Sequence, residues 1–153
     1  MTDSGGAGML IRLAEFSDAP ILAVLMTQLG YETRTADMEM RLQTILPDSR
    51  YRTLVAVLDG RVCGMIGTFC YCSYEHNDPS ARILALVVEA QTRGRGVGRA
   101  LVQAAETDLA ERNIMRLSVN TRLTRQEAHL FYERLGYEKN GFRYVKALPA
   151  QTD

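Results

Sequence analysis

An apolar run that leads into a segment rich in glycine and arginine constrains the fold of this chain more than any other feature. Residues 82–88 read RILALVV, and the glycine-rich segment from Gln91 to Gly98 follows closely. From Gly96 to Arg112, apolar side chains recur at steps of three and four residues, which is the period of an amphipathic helix. The sequence therefore predicts a strand covered on both faces, then a loop, then a helix that begins in that loop.

The loop has the composition of an anion-binding site. Its glycines let an anion approach the backbone without a Cβ clash, and the helix offers unpaired N–H groups and the positive end of its dipole. Arg93, Arg95 and Arg99 would add charge-assisted contacts. A Walker loop is excluded because no Gly-Lys-Ser/Thr triplet occurs, and a Rossmann fingerprint fails because residue 99 is arginine. A plain strand-to-helix connection with a solvated basic edge stays open as the alternative.

Composition limits the function classes. The 153 residues fit one domain, and equal numbers of basic and acidic side chains, 18 each, give no overall field for a general nucleic-acid binder. Cys63, Cys70 and Cys72 lack metal-ligand company, so no metal site is expected and all three are interpreted as buried residues in a reducing cytosol. With neither a signal peptide nor an apolar run of about 20 residues, the chain is expected to be cytoplasmic and to have no membrane partner.

Turn and period signals predict one mixed α/β domain over residues 9–148. A disordered segment, residues 1–8, is expected before it, and a tail, residues 149–153, after it. Asp59-Gly60 is a strong hairpin signal, and the polar residues 73–80 are predicted to form a loop. Strands are predicted at residues 9–14, 52–58, 61–71, 82–88, 114–119, 137–139 and 142–147. Helices are predicted from a cap at Ser17 or Asp18 to Leu29, and at residues 35–46, 96–112 and 126–135.

Two motifs carry a resemblance to a known family. The pattern Q-x-x-G-x-G, which begins at Gln91 behind the predicted strand, resembles motif A of the GNAT acetyltransferases. The segment AHLFYERLGY, which begins at Ala128, is similar to the late signature of that family. The resemblance extends from residue 11 to residue 148 and is closest to the aminoalkylphosphonate N-acetyltransferase branch. It implies a mixed, mostly antiparallel twisted sheet with helices on both faces and splayed central strands.

The resemblance also implies acetyl-CoA (coenzyme A) as cofactor, with its pyrophosphate on the glycine loop. Tyr132 is then the general acid for the departing thiolate, although it could simply pack the core; reference pKa values of phenol and thiol differ by about 1.5 units. Arg125 stands where the family often has asparagine and could reach a phosphate, while Asn120 could serve the pantetheine. A backbone amide of Leu86 or Val88 would polarise the thioester carbonyl. The implied cofactor-binding residues are Leu86, Val87, Val88, Arg93, Gly94, Arg95, Gly96, Val97, Gly98, Arg99, Asn120, Arg125, Ala128 and Phe131.

The general base that many family members use is missing. Those members place a glutamate on the strand that enters the loop, and Ala85 stands at that position here. Glu75 or His76 could replace it, or ordered water or a low-pKa amine could suffice. Glu89 is assigned to the surface of the cofactor loop. The acceptor site is expected from the first two helices and the loop at residues 73–80, with these candidate residues: Tyr31, Arg34, Tyr74, Glu75 and His76.

Together these features predict an N-acetyltransferase that moves an acetyl group from acetyl-CoA to a primary amine, a small molecule, by direct attack. A non-catalytic acyl-CoA-binding sensor or partner module is the alternative that the missing carboxylate favours. A protein lysine acetyltransferase is a further alternative within the enzyme class. Dimerisation is common in the family, so a homodimer is considered, but nothing in the sequence identifies an interface.

Overall fold

The computed structural model describes residues 8–121 and 126–150. Elements follow each other there in the order β1-α1-α2-β2-β3-β4-α3-β5-α4. The strands are Met9–Leu13 (β1), Tyr51–Leu58 (β2), Arg61–Tyr71 (β3), Ser80–Val88 (β4) and Leu117–Val119 (β5). The helices are Ala19–Leu29 (α1), Thr35–Ile45 (α2), Val97–Glu111 (α3) and Gln126–Arg134 (α4). The chain divides into two compact units, one ending at Val119 and the other beginning at Asn120.

The five strands form one open sheet in the order of the chain. Neighbours from β1 to β4 are antiparallel, whereas β5 pairs with β4 in parallel and only through Ala81, Arg82 and Ile83. The second half of β4 therefore has no partner on that side among the described residues. This mixed, mostly antiparallel sheet agrees with the predicted fold class, and the described strands splay between β4 and β5.

A hairpin turn and a β-bulge mark the register of the sheet at two points. Asp59 and Gly60 both have positive φ, 52° and 78°, as a two-residue type I′ hairpin turn requires, which confirms the predicted hairpin. On β4, Leu84 is an extra residue between Ile83 and Ala85, which pair with successive residues of β3. Such a β-bulge bends a strand. The bend lies where the pairing with β5 stops.

Helices cover both faces of the sheet. On one face α1 and α2 pack in a core cluster that includes Met65 and Val87. Gly64 points to the opposite face because neighbouring residues of a strand alternate. A methyl group added at Gly64 would lie 3.1 Å from Cδ1 of Leu101 and 3.2 Å from Cγ1 of Val97. The absence of a side chain at this position thus lets α3 approach the sheet closely and fixes where its N-terminus lies.

The predicted strands near the chain's end need correction. The strand predicted at residues 114–119 is limited to β5, because the Ile114 amide instead closes the turn after α3 by donating to the Leu109 carbonyl at 2.9 Å. Residues 137–150 contain no strand, although 137–139 and 142–147 were expected to form one, and Phe142 and Tyr144 are exposed. A strand needs a partner for its backbone groups, and no ladder of the described residues includes these segments.

Three smaller predictions also differ from the structure. The strand β4 is not covered on both faces throughout, because Arg82 and the bulged Leu84 are exposed. The loop predicted at residues 73–80 ends one residue earlier, since Ser80 begins β4. Cys72 is exposed rather than buried. No helix among the described residues is long and apolar enough to span a membrane.

Candidate active site

The segment after β4 forms a cradle of backbone N–H groups at the start of α3. A 3-10 turn covers Ala90–Thr92, and Gly94 and Gly96 then take φ values of 82° and 81°. The Ala100 amide donates the first helical bond to the Gly96 carbonyl at 3.0 Å. Earlier helical amides have no intrahelical acceptor, and no side chain caps them. These are the amides of Val97, Gly98 and Arg99.

This cradle fits an anion of the size of a phosphate group. An added Cβ at Gly94 or Gly96 would meet no atom within 4 Å, so the loop is open around both residues. Arg95 and Arg99 are exposed beside the helix N-terminus, where the dipole favours a negative charge by about 0.3–1 kcal/mol. The Arg93 side chain instead contacts β4, because its Nε donates to the Val88 carbonyl at 3.2 Å. Among the residues that the structure describes, nothing pairs with the guanidinium groups of Arg95 and Arg99, which are thus available for a ligand.

The unpaired side of β4 presents backbone amides beyond the end of β5. The Glu89 amide donates to the Cys63 carbonyl of β3 at 2.7 Å. Because backbone groups of alternate strand residues point to opposite sides, Val87 also faces β3, whereas Leu86 and Val88 face the open side. An extended ligand that lies along this edge can pair with those two amides as an added strand would.

The unit that begins at Asn120 carries the second motif on α4. The Tyr132 side chain is 8% exposed and meets two rings edge-on, Phe131 at 5.1 Å and Tyr137 at 5.6 Å between centroids. Burial raises the pKa of Tyr132 to about 12, so its phenol stays protonated at neutral pH. The helix is followed by Gly136 with φ of 93°, as the sequence predicts.

A family model described as "Acetyltransferase (GNAT) family" matches residues 20–137. The matched span exceeds half of the chain and contains both the cradle and α4. The chain belongs to the GNAT acetyltransferase family. The resemblance that the two sequence motifs carry is thereby confirmed, together with the fold it implies.

Two relatives and one solved structure are similar to this chain. An aminoalkylphosphonate N-acetyltransferase of Salmonella typhimurium strain LT2 is 33% identical over 102 residues, which are 67% of this chain and 65% of that protein. An N-acetylaspartate synthetase of Rattus norvegicus is 30% identical over 146 residues, 95% of this chain and 46% of the relative. The chain thus spans less than two thirds of both relatives. A GNAT family acetyltransferase of Staphylococcus aureus USA300_TCH1516 has a TM-score of 0.80 at 27% identity, covering 92% of this chain and 99% of that one.

Several predicted cofactor residues can now be located in this GNAT domain. The Val97 side chain is 2% exposed, so only its backbone amide faces the cradle. Ala128 and Phe131 are half-buried on α4, and Asn120 is exposed directly after β5. Arg125 lies outside the described residues.

Side chains remote in sequence brace the cradle. Glu89 is buried, and its carboxylate forms an ion pair with Arg61 of β3, so the expectation that it lies on the loop surface is wrong. The buried Thr92 hydroxyl donates to the Glu89 carbonyl at 3.1 Å. Gln28 of α1 accepts a hydrogen bond from the Ala90 amide at 3.3 Å. Sequence reasoning missed Arg61 and Gln28, because their partners lie 28 and 62 residues away.

The residues predicted for the acceptor site come from opposite ends of β4. The two groups are Tyr31 and Arg34, and Tyr74, Glu75 and His76. The hydrogen bond between Gln28 and Ala90 holds the end of α1 near the carboxyl end of β4, and Tyr31 follows there. The loop with the second group enters β4 at Ser80, roughly 26 Å away along the strand. The two groups therefore adjoin opposite ends of β4, and an acceptor site that uses both stays a prediction.

The side chains of these candidates differ in their ion pairs and in their exposure. Arg34 pairs with Asp37 at 3.2 Å. Glu75 and His76 are exposed, at the end of β4 away from the cradle. Ala85 on β4 is half-buried and brings no acid to the strand. Among the described residues, no group of three or more His, Cys, Asp or Glu side chains could hold a metal ion.

Proposed function

We propose that this GNAT family member is an N-acetyltransferase that moves the acetyl group of acetyl-CoA to the primary amine of a small molecule. The observation that carries the proposal is the amide cradle at the start of α3 beside the unpaired edge of β4. A cofactor with a pyrophosphate and an extended pantetheine arm needs an anion site that continues into a free strand edge. Family membership supports the same assignment.

The pyrophosphate of acetyl-CoA would be held by the backbone amides from Gly94 to Arg99. Arg95 and Arg99 would add charge-assisted hydrogen bonds, each stronger than a neutral one. The pantetheine would follow the open side of β4 along Val88 and Leu86. Contacts of the cofactor with Asn120, Arg125, Ala128 and Phe131 stay predictions from the family motif.

The reaction would be a direct attack of the neutral amine on the thioester carbonyl carbon. Negative charge develops on the carbonyl oxygen as the C–N bond forms. A backbone N–H of Leu86 or Val88 can donate to that oxygen, and a preorganised donor of this kind is worth about 3–4 kcal/mol. The C–S bond then breaks, and the sulfur leaves as a thiolate that needs a proton.

Tyr132 is the proposed donor of that proton. With a pKa of about 12, its proton is held more tightly than a thiol proton, whose reference pKa is near 8.5. Complete transfer to a CoA thiolate is therefore uphill by about 5 kcal/mol, against about 2 kcal/mol for a solvated phenol. Tyr132 would accordingly act by donating a hydrogen bond to the sulfur as charge develops, with the proton moving only when the C–S bond breaks.

The acceptor amine must also lose a proton. The β4 sequence from Ser80 to Val88 contains no acidic residue, and a free alkylammonium has a pKa near 10. We propose that the amine reaches the site in its neutral form or loses its proton to ordered water. After the attack, the nitrogen carries one proton more than the amide product, and this proton passes to water. The Tyr132 phenolate takes a proton back from water, so the enzyme returns to its starting form. Glu75 and His76, exposed in the loop before β4, stay candidates for the base.

The names of the relatives favour a small acceptor that carries negative charge. An aminoalkylphosphonate contains a phosphonate group and aspartate contains carboxylates. We propose an acceptor of this class, an amine linked through a short carbon chain to an anionic group. The cytoplasmic location and the homodimer stay predictions.

The test combines binding with turnover. Saturating acetyl-CoA is expected to raise the melting temperature by mass action, and a panel of anionic and neutral primary amines is expected to release free CoA thiol. Folded protein that shows neither result would contradict the proposal. A lysine-containing peptide in the panel tests the protein acetyltransferase alternative.

The acyl-CoA-binding sensor is a second candidate because β4 lacks an acid. It predicts the same rise in melting temperature but no amine-dependent release of thiol. One amine that is acetylated in proportion to enzyme concentration would exclude it.

A further inference from the structure

An aromatic row, defined as Tyr51, Phe69 and Tyr71, crosses β2 and β3, and an arginine lies over each of two of its rings. The ring centroids of Tyr51 and Phe69 are 4.8 Å apart, and those of Phe69 and Tyr71 are 6.2 Å apart. Arg50 places its Cζ 5.5 Å from the Phe69 centroid. Arg82, on β4, places its Cζ 5.6 Å from the Tyr71 centroid. Such cation–π contacts orient a guanidinium group without neutralising it.

The row lies on the face of the sheet against which α1 packs. Met65 belongs to the core cluster of α1 and α2, and every second residue along β3 points to the same face. Phe69 and Tyr71 therefore share that face. Arg82 pairs with Phe69 in the ladder, so its side chain stands on the same face, beside the ring row.

The two arginines differ in their charge balance. Arg50 forms an ion pair with Asp48, with 2.7 Å between Nη2 and Oδ2. The Nε of Arg50 donates a second hydrogen bond to the same carboxylate at 3.1 Å. Arg82 is exposed and forms no ion pair or hydrogen bond with any other residue that the structure describes. Its guanidinium thus keeps a full set of donors for a ligand, in an orientation that Tyr71 favours.

The position of Arg82 follows the order of the proposed site along β4. The cradle lies beyond Val88, and the pantetheine would run along Val88 and Leu86, which brings the thioester toward the Leu84 bulge. Because β5 occupies the edge of β4 at Ala81, Arg82 and Ile83, an acceptor amine beside the thioester would extend over the face of the sheet that carries the aromatic row. It would point toward Arg82, which is four residues before Leu86, or roughly 13 Å. A short carbon chain together with the long arginine side chain spans this distance.

We propose that Arg82, oriented by Tyr71, binds the anionic group of the acceptor amine. This inference rests on the proposed function and names the residue that selects the acceptor class. A guanidinium group presents a planar fork of donors that matches the oxygens of a phosphonate or a carboxylate. Arg82 is thus a specificity-determining residue that takes no part in the chemical step.

The test compares two acceptors and three proteins. An aminoalkylphosphonate and an alkylamine of equal carbon number are offered to the wild type, Arg82→Gln and Arg50→Gln. Arg82→Gln is expected to lower kcat/KM about 10- to 100-fold for the phosphonate, through KM, because a charged hydrogen bond is lost. The alkylamine should be acetylated by Arg82→Gln as by the wild type. Arg50→Gln is the matched control, since it also removes an arginine stacked on the aromatic row but one that Asp48 already occupies.

An amine-free alkylphosphonate gives a second measurement. It should inhibit acetylation of the alkylamine by the wild type and lose this inhibition in Arg82→Gln, while Arg82→Lys should keep part of it. If Arg82→Gln affects both acceptors equally, or neither, or if Arg50→Gln behaves in the same way, the assignment of Arg82 is overturned. If the folded wild type acetylates no amine at all, the proposed function itself fails. Melting temperatures of all variants separate these results from a loss of folding.

Discussion

The burial of Tyr132 makes a prediction at alkaline pH that needs no substrate. Burial raises its pKa from 10.0 to about 12 in the folded protein, whereas in the unfolded chain the phenol is in water with a pKa near 10. Between these values the unfolded state has lost a proton that the folded state still binds. The free energy of unfolding is therefore undiminished below about pH 10 and falls as the pH rises toward 12.

The size of this loss follows from the two pKa values. At about pH 11 the Tyr132 phenol is mostly deprotonated in the unfolded chain but mostly protonated in the folded protein. Deprotonation therefore favours the unfolded state by a factor of about ten, which lowers the free energy of unfolding by about 1.4 kcal/mol. The limiting loss above both pKa values is about 2.7 kcal/mol. Tyr132→Phe removes the titrating group, so the variant should lack this part of the alkaline destabilisation.

Urea unfolding near pH 8 and near pH 11 measures the effect. The change in free energy between the two pH values should be about 1.4 kcal/mol smaller in Tyr132→Phe than in the wild type. Tyr144→Phe, which alters a tyrosine that is 91% exposed, is the matched control and should behave as the wild type. If the free energy of unfolding changes equally with pH in both variants, the raised pKa of the buried Tyr132 phenol is refuted. At neutral pH, Tyr132→Phe should lower kcat and leave acetyl-CoA affinity unchanged if the phenol assists the leaving thiolate.

Three further outcomes are expected. Gly96→Ala places an alanine at a left-handed φ of 81°, which costs about 1–2 kcal/mol in conformational free energy. This variant should bind acetyl-CoA more weakly in a thermal-shift titration. Glu89→Gln should raise KM for acetyl-CoA more than KM for the amine, because the ion pair with Arg61 that braces the cradle is lost. Hydrogen bonds from Arg12 hold the pKa of Asp18 below 3.8 against the opposing effect of burial, so stability should fall as the pH drops below about 4, and urea unfolding of Asp18→Asn should show a smaller fall.

Features set by neighbouring residues were predictable from the sequence. The turn at Asp59-Gly60 and the glycine that caps α3 depend on backbone conformations that few residues other than glycine, asparagine and aspartate adopt readily. The helices depend on apolar periods that extend over several turns. These elements agree with the predictions to within a residue or two, because nothing distant has to be known to place them.

Features set by pairing were not predictable in the same way. The residue types at 142–147, which include Phe142, Tyr144 and Val145, show that the segment is able to form a strand. A strand exists only where another edge completes its hydrogen bonds. The bulge at Leu84 likewise arises from the register between β3 and β4. No local signal in the apolar run at residues 82–88 marks which residue is left without a partner.

The candidate site also has a part set by neighbouring residues and a part set by distant ones. The cradle is made of consecutive residues, so its glycines and arginines can be recognised in the sequence. Its support is not local: Glu89 looks like a solvated charge beside the glycine loop until Arg61 and the Cys63 carbonyl are brought to it from β3. A buried carboxylate requires such partners, and only the fold supplies them.

The two substrates are also recognised by different parts of the chain. Donor binding, as proposed, relies mainly on backbone N–H groups of β4 and α3, which any sequence with the same conformations provides, and Arg95 and Arg99 only add to it. Acceptor binding uses side chains, with Arg82 on Tyr71 as the proposed anion contact, and side chains can change without altering the sheet. One scaffold can therefore keep acetyl-CoA while its acceptor varies, because the residues that choose the amine carry none of the backbone geometry that holds the cofactor.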